Sequence, residues 1–540
     1  MWVSVLNLFN VLMQNTLASN DQPKVNIKEK MNTIKHLAPI WISMLMALVL
    51  ASCSSLPTIN PDLALRSSKP VQLENARGPL TNKQSKEILA KLKHSSGDTN
   101  IFEHHLSLEQ AIGNTALFVG NKVDLLIDGP QTFASMLAAI DAAKDHINME
   151  TYILEPDEIG QHFVDALLAK QHVGVQVNII YDSFGSINTP KEFFQPLIDA
   201  GANILEYNPL NPLKSRDDWD VNERDHRKLL VVDGKVAYVG GINVSSVYSR
   251  GSNGSKFGSG GSGRKAPYKS KMKEAKNEIK NESRQNGLQN NSLITGPEKT
   301  ATDKAESDAD IILWRDTHLI MQGPVVKEFQ KLFIETWVKQ KGQTLAKRDY
   351  YPQLSSIGKE VVRAIGSSPD DTFSLIYVTL LSAINSAESR IYITNAYFIP
   401  DPQLLTALKD AAARGVDVRL ILPSKSDSNL VFYASRSFYN ELLSGGVKIY
   451  ERQDALLHSK TAIIDGVWST VGSTNLDWRS FLHNQEINAV ILGKDFGNRM
   501  QNLFEQDLNK SKQITLQDWH KRGLILRVKE TAARLWARFL

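Results

Sequence analysis

The chain has 540 residues, enough for two or more globular domains, and its 42% apolar and 22% charged content is that of an ordinary folded protein. A formal charge of +4 is small for this length, so whole-molecule electrostatics do not single out nucleic acid as a partner. The single cysteine, Cys53, excludes an intrachain disulfide and cysteine-based metal sites, and the histidines lack HExxH spacing, so chemistry without metal or cofactor is expected.

Residues 1–30 precede a credible start at Met31 and read as a misassigned upstream extension. Residues 31–52 have a basic start, a short apolar run and small residues at its end, which is the pattern of a secretory signal peptide. Leu50-Ala51-Ser52-Cys53 resembles the lipobox of bacterial lipoproteins. The resemblance implies lipidation of Cys53 and a periplasmic-side membrane anchor, and Ser54 after the cysteine favours the outer membrane. Residues 53–105 are expected to form a polar linker.

From residue 106 the sequence alternates strand-like and helix-like segments. Residues 123–128 form an apolar strand ended by Gly129-Pro130, residues 132–144 carry Phe133, Met136, Leu137 and Ile140 at helical spacing, and residues 146–154 are strand-like again. A helix over 163–170 and a strand over 175–180 follow, the alternation of an α/β sandwich. Much of this returns later: residues 387–401 parallel 143–157, 415–422 parallel 174–181, and 443–450 parallel 198–205. Repeats of this length are whole domains. Two similar α/β domains are expected, over 106–345 and 355–512. The first carries a basic insert at 249–308, too poor in large apolar residues to offset its ordering entropy. Residues 513–540 mix cations and apolar residues as an interfacial amphipathic helix does, and packing on the second domain is the alternative.

The candidate chemistry lies in a duplicated motif, His226-x-Lys228-x4-Asp233 and His458-x-Lys460-x4-Asp465. A spacing of two places imidazole and ammonium on one face of a strand. A phosphodiester repels nucleophiles with its own charge, so its site must supply cations together with an activated nucleophile. One imidazole can attack phosphorus while the other protonates the leaving alkoxide and then deprotonates the acceptor. Lys228 and Lys460 would hold the non-bridging oxygens, and Asp233 and Asp465 would secure the Asp-Gly turn.

Downstream of each motif, Val239-Gly-Gly-Ile-Asn243 and Val471-Gly-Ser-Thr-Asn475 offer Asn243, Ser473 and Asn475 as donors to phosphate oxygens. A catalytic histidine also needs a carboxylate to set its tautomer. Glu486 lies 28 residues after His458. Asp316 lies 90 residues after His226, or about 30 once an insert of roughly 60 residues is removed. Each acid is therefore expected to orient the histidine of its own half.

These residues resemble the phospholipase D superfamily, and residues 150–160, 222–228, 314–316, 395–401 and 472–480 resemble bacterial cardiolipin synthases in particular. The resemblance spans about residues 115–510 apart from the insert. It implies two α/β sandwich domains related by pseudo-twofold symmetry with one active site at their interface, and transfer through a covalent phosphatidyl-histidine. Two phosphatidylglycerols would give cardiolipin and glycerol, with His226 as nucleophile and His458 as acid/base, on a phospholipid partner rather than nucleic acid. A periplasmic phospholipase D hydrolase and a nuclease of the same superfamily are the alternatives.

Overall fold

The computed structural model describes residues 73–96, His105, Glu109, and residues 116–211, 220–258 and 312–540. The address segment, Cys53 and residues 259–308 of the expected insert lie outside the described residues.

The first half consists of β1 (Leu117–Ile127), α1 (Asp128–Ala142), β2 (His146–Thr151), α2 (Glu158–His172), β3 (Gln176–Asp182), β4 (Asn203–Tyr207), β5 (Lys228–Val232), β6 (Val236–Gly240), β7 (Thr317–Gln322) and α3 (Val326–Lys339). Its strands hydrogen-bond in the order β1–β7–β6–β5–β2–β3–β4, the last three mutually parallel and the others antiparallel.

The second half repeats this with β8 (Glu360–Ser367), α4 (Leu375–Asn385), β9 (Arg390–Asn395), α5 (Pro402–Ala413), β10 (Asp417–Pro423), α6 (Asn429–Arg436), β11 (Lys448–Arg452), β12 (Lys460–Ile464), β13 (Trp468–Gly472), α7 (Trp478–Leu482), β14 (Asn484–Leu492), α8 (Lys494–Asn509) and β15 (Ser511–Ile514). The order is β8–β14–β13–β12–β9–β10–β11–β15, the first sheet's order position by position with one strand added at the far edge. The strands β1 and β8 also pair antiparallel, Phe118 against Val362, so the two sheets join edge to edge.

Packing explains why the motif strands read as continuous apolar runs. Along β5, Leu230 and Val232 face the core that holds Phe133 of α1 and Phe163 of α2. Leu229 and Val231 face the opposite way, into a core built by both halves with Ile463, Val471, Phe329 of α3 and Phe504 of α8. Along β12, Ala462 and Ile464 meet Leu380 of α4 and Leu408 of α5. Each fully buried Leu or Phe contributes roughly 1.5–3 kcal/mol, so the shared core holds the halves together.

Two boundaries differ from the expectation. Part of the supposed linker is folded: Leu73 is buried and pairs in parallel with Leu117, and a helix covers Asn82–Ser96. His105, the last residue of that stretch, lies 3.0 Å from Asp465 Oδ2 in the second half. Just beyond it Glu109 accepts from Trp468 Nε1 and Arg363, each at 2.7 Å. Apolar Leu73 and the buried His105 supply burial that overall polarity conceals. The supposed insert is also folded as far as Gly258, with the Ser252 hydroxyl donating to Asp128 at 2.7 Å and Phe257 packed edge-on to Phe133. The C-terminal segment continues through α9 (Leu516–His520) and α10 (Leu524–Arg534), and Trp519, Ala533 and Ala537 enter the second half's core.

Candidate active site

Each motif histidine sits just before its strand, at a place where the two halves exchange backbone. Arg224-Asp225 pairs in parallel with Asn484-Gln485, and the His226 N–H donates to Gln485 O at 2.9 Å. In the other direction Trp314-Arg315 pairs in parallel with Leu456-Leu457, and the His458 N–H donates to Arg315 O at 2.8 Å. The residue after each exchanged segment is an acid, Glu486 in one case and Asp316 in the other.

The acids are therefore crossed between halves. His226 Nδ1 donates to both carboxylate oxygens of Glu486, at 3.0 and 3.1 Å, and His458 Nδ1 donates to Asp316 Oδ2 at 2.7 Å. This corrects the pairing expected from spacing, because distance counted along one half cannot reveal a strand exchange. The two acids differ in their supports. Glu486 also accepts from the Ser473 hydroxyl and from Asn484 Nδ2 at 3.2 Å, whereas Asp316 accepts from the Thr317 N–H at 2.7 Å. Ser473 thus serves the acid rather than a phosphate oxygen.

Asp233 and Asp465 stand seven positions past their histidines, roughly 20 Å along an extended strand, and cannot reach the same phosphate. Both adopt left-handed backbone, at φ 51° and 54°. The Asp233 carboxylate accepts from the N–H groups of Lys144, Asp145 and His146 at the start of β2. Asp465 accepts from those of Glu388, Ser389 and Arg390 at the start of β9, and from His105 Nε2 at 3.0 Å. They lock the motif strand to its neighbour, and the motif's catalytic part contracts to His and Lys. His105, which the sequence offered no reason to single out, braces only the second lock.

Lys228 and Lys460 are buried, and each donates from Nζ to the carbonyl of the histidine two residues back. Burial pushes them down, Lys228 to about 7 and Lys460 to about 8, while Glu486 and Asp316 pull the other way. An anionic phosphate would restore their charge. Burial likewise pushes His226 down to about 4, against Glu486 and with the help of Lys228. His458 is lowered by burial and Lys460, opposed by Asp316 and Asp427. Burial works to raise both acids, but the histidine bonded to each and the nearby lysine hold Asp316 and Glu486 below the usual carboxylate range.

Both histidines open onto one cavity of about 430 Å³, lined from the two halves by Tyr152, Tyr248, Trp314, Tyr397, Asn243 and Asn475 among others. Tyr152 stands edge-on to His226 with centroids 5.1 Å apart, and the Tyr248 hydroxyl lies 3.3 Å from His458 Nδ1. Asn475 Oδ1 is buried without a partner among the described residues, whereas Asn243 accepts from the Ile153 N–H and donates to Tyr248 at 3.2 Å each. Glu155, Asp427 and Asp477 add acid to the walls, Arg224 and Arg479 add cations, and burial pushes Asp477 up to about 6. Sequence reasoning missed these wall residues. The detectable signal was an aromatic at or beside the repeat-equivalent pair Ile153 and Tyr397. Among the described residues no cluster of three or more His, Cys, Asp or Glu could hold a metal ion.

Two duplicated α/β halves that exchange strands to bring two carboxylate-bound histidines to one cavity, each with a buried lysine two residues along its strand, define a phosphodiester transferase of the phospholipase D type. A family model described as "Cardiolipin synthase, PLD-like domain" matches residues 136–251 and 380–508. The cardiolipin synthase of Geobacillus sp. (strain WCH70) is 33% identical over 433 residues, 80% of this chain and 74% of that one. Cardiolipin synthase 2 of Bacillus anthracis is 31% identical over 450 residues, 82% of this chain and 76% of that one. The phosphatidylserine synthase crystal structure from Haemophilus influenzae Rd KW20 shares the fold, with TM-score 0.53 at 13% identity over 82% of this chain and all of that one. The chain belongs to the cardiolipin synthase family.

Proposed function

We propose that this protein transfers a phosphatidyl group between two phosphatidylglycerol molecules, giving cardiolipin and glycerol. The observation that carries the reading is the cavity shared by His226 and His458, each with Nδ1 on a buried carboxylate. A neutral imidazole that donates from Nδ1 keeps its Nε2 lone pair for attack.

Burial and lysine lower both imidazoles while the acid bonded to each raises it, so the assignment of His226 as nucleophile and His458 as acid/base rests on the superfamily resemblance. His226 Nε2 attacks phosphorus, and the bond to the glycerol oxygen breaks as His458 delivers its proton to that oxygen. A second phosphatidylglycerol then gives its hydroxyl proton to His458 while its oxygen displaces His226 from phosphorus. Lys228, Lys460 and Asn475 hold the non-bridging oxygens through both steps. The acids Glu155, Asp427 and Asp477 around the cavity suit a neutral polyol headgroup and repel a polyanionic nucleic-acid strand.

The N-terminal pattern ending at Cys53 supports attachment to a bacterial envelope membrane through a lipidated cysteine, with the catalytic halves on the periplasmic side. Among the described residues no helix is long and apolar enough to cross a membrane. The test is purified protein on phosphatidylglycerol vesicles with products read by mass spectrometry. Cardiolipin with equimolar glycerol is expected. Phosphatidic acid alone would reassign the protein as a hydrolase, and neither product would overturn the reading.

A further inference from the structure

The outer face of the C-terminal helix has no counterpart in the catalytic argument. On α10 and the turn after it, Leu524, Ile525, Val528 and Leu535 are 75%, 74%, 58% and 78% exposed. Positions 524, 528 and 535 fall on one helical stripe, with Ile525 beside it. The opposite stripe is buried through Glu530, Ala533 and Ala537. Glu530 pairs with Arg522 and Arg436, and Arg522 lies over the Trp519 ring, so the helix is clamped with its apolar stripe outward.

The exposed side-chain charge on this segment is positive. Between residues 521 and 540 the cations are Lys521, Arg522, Arg527, Lys529, Arg534 and Arg538, and the one acid is the buried Glu530. Lys521, Arg527, Lys529 and Arg538 are exposed. An apolar stripe bordered by cations is complementary to an anionic bilayer surface, where acyl chains take the stripe and headgroup phosphates take the cations.

The helix also flanks the cavity. It packs along α6, whose cap Ser428 adjoins the cavity residue Asp427, and the chain's last carbonyl, Leu540 O, accepts from the N–H of the cavity residue Arg479 at 2.9 Å. At the same cavity Val247 is a 44% exposed apolar wall. We infer that the stripe Leu524, Ile525, Val528 and Leu535, with its bordering cations, docks the second half on an anionic phospholipid surface beside the active-site cavity.

The test uses the full chain and a variant carrying Leu524→Ser, Ile525→Ser, Val528→Ser and Leu535→Ser. Hydrogen exchange is followed with no vesicles, with phosphatidylcholine vesicles, and with vesicles containing phosphatidylglycerol. Slower exchange across residues 521–540 is expected only with the anionic vesicles, and the variant should lose that protection. Its affinity for those vesicles should fall at least about tenfold, since four exposed apolar side chains are removed. Turnover of a short-chain monomeric phosphatidylglycerol should stay unchanged. Equal protection and vesicle affinity in both proteins would overturn the inference. So would lipid-free protection that grows with protein concentration, which would assign the stripe to a second copy of the chain. Because binding is read apart from turnover, loss of the proposed catalytic function would leave this result interpretable.

Discussion

The two halves share a strand order but not a way of holding their acids. At equivalent positions the first half has Gly241 and the second has Ser473. A side chain at Gly241 would overlap the Asp316 carboxylate, so glycine is required there, whereas Ser473 reaches Glu486 and donates to it. The corners differ too. Asp465 is braced by His105 as well as by backbone, whereas Asp233 is bound by backbone N–H groups. The lesson is that duplication conserves the frame, while the sharing of one site lets each copy specialise: a longer, more firmly held acid behind His226, and a shorter acid with two tyrosines nearby behind His458.

The largest effect should come from the histidines themselves. Either His226→Ala or His458→Ala should lower transfer by about 10⁴-fold or more, and the double variant should be scarcely worse, because the two act as one unit. Additive losses in a cardiolipin assay would mean two independent sites.

Next come the acids, which test the crossing. Glu486→Gln and Asp316→Asn should each cost about 10²–10⁴-fold by releasing the tautomer of the histidine opposite. In the burst release of an aryl leaving group that needs no proton, the Asp316→Asn loss should largely vanish while the Glu486→Gln loss persists. The reverse pattern would show that each acid serves its own half.

Smaller effects should follow from exchanging the neighbours of the acids. Gly241→Ser should displace Asp316 and cost about 10–100-fold, whereas Ser473→Ala removes one charge-assisted hydrogen bond and should cost about tenfold. Both should be read in kcat with the thermal midpoint as a control for folding.

Acidity offers a milder separation. His226, pushed down to about 4, remains unprotonated until low pH, so the acid limb of kcat/KM should fall only as pH drops through that region. Lys228 at about 7 and Lys460 at about 8 should lose their charge in the free enzyme as pH rises through 7–8, weakening substrate capture. For stability the sign follows from proton uptake. The unfolded chain keeps both lysines protonated up to about 10.4, so it binds more protons than the folded chain above pH 7, and folding gains from rising pH in that window. Lys228→Met should therefore abolish activity yet stabilise the folded chain at pH 7 by about 1 kcal/mol, measured by denaturant unfolding.

The duplicated frame was legible because strand patterning and repeats are local. Parallel segments such as residues 143–157 and 387–401 led directly to equivalent strands β2 and β9. His226, Lys228, His458 and Lys460 were legible because catalytic pairs two apart on a strand leave a short-range mark. The crossing was not. Two exchanged backbone pairs, at 224–225 with 484–485 and at 314–315 with 456–457, decide which acid meets which histidine, and no count along the chain encodes them. His105 and Glu109 were hidden for a related reason: their partners lie more than 250 residues away.

The division of labour between the halves can be read most directly from a trapped intermediate. The His458→Ala protein, given a phosphatidyl ester with an aryl leaving group, should release one equivalent of the aryl alcohol in a burst. Tandem mass spectrometry of the quenched protein should then find the phosphatidyl group on His226, with none on the His226→Ala protein. A phosphatidyl adduct on His458 in the His226→Ala protein, or turnover by His226→Ala at the wild-type rate, would contradict the account.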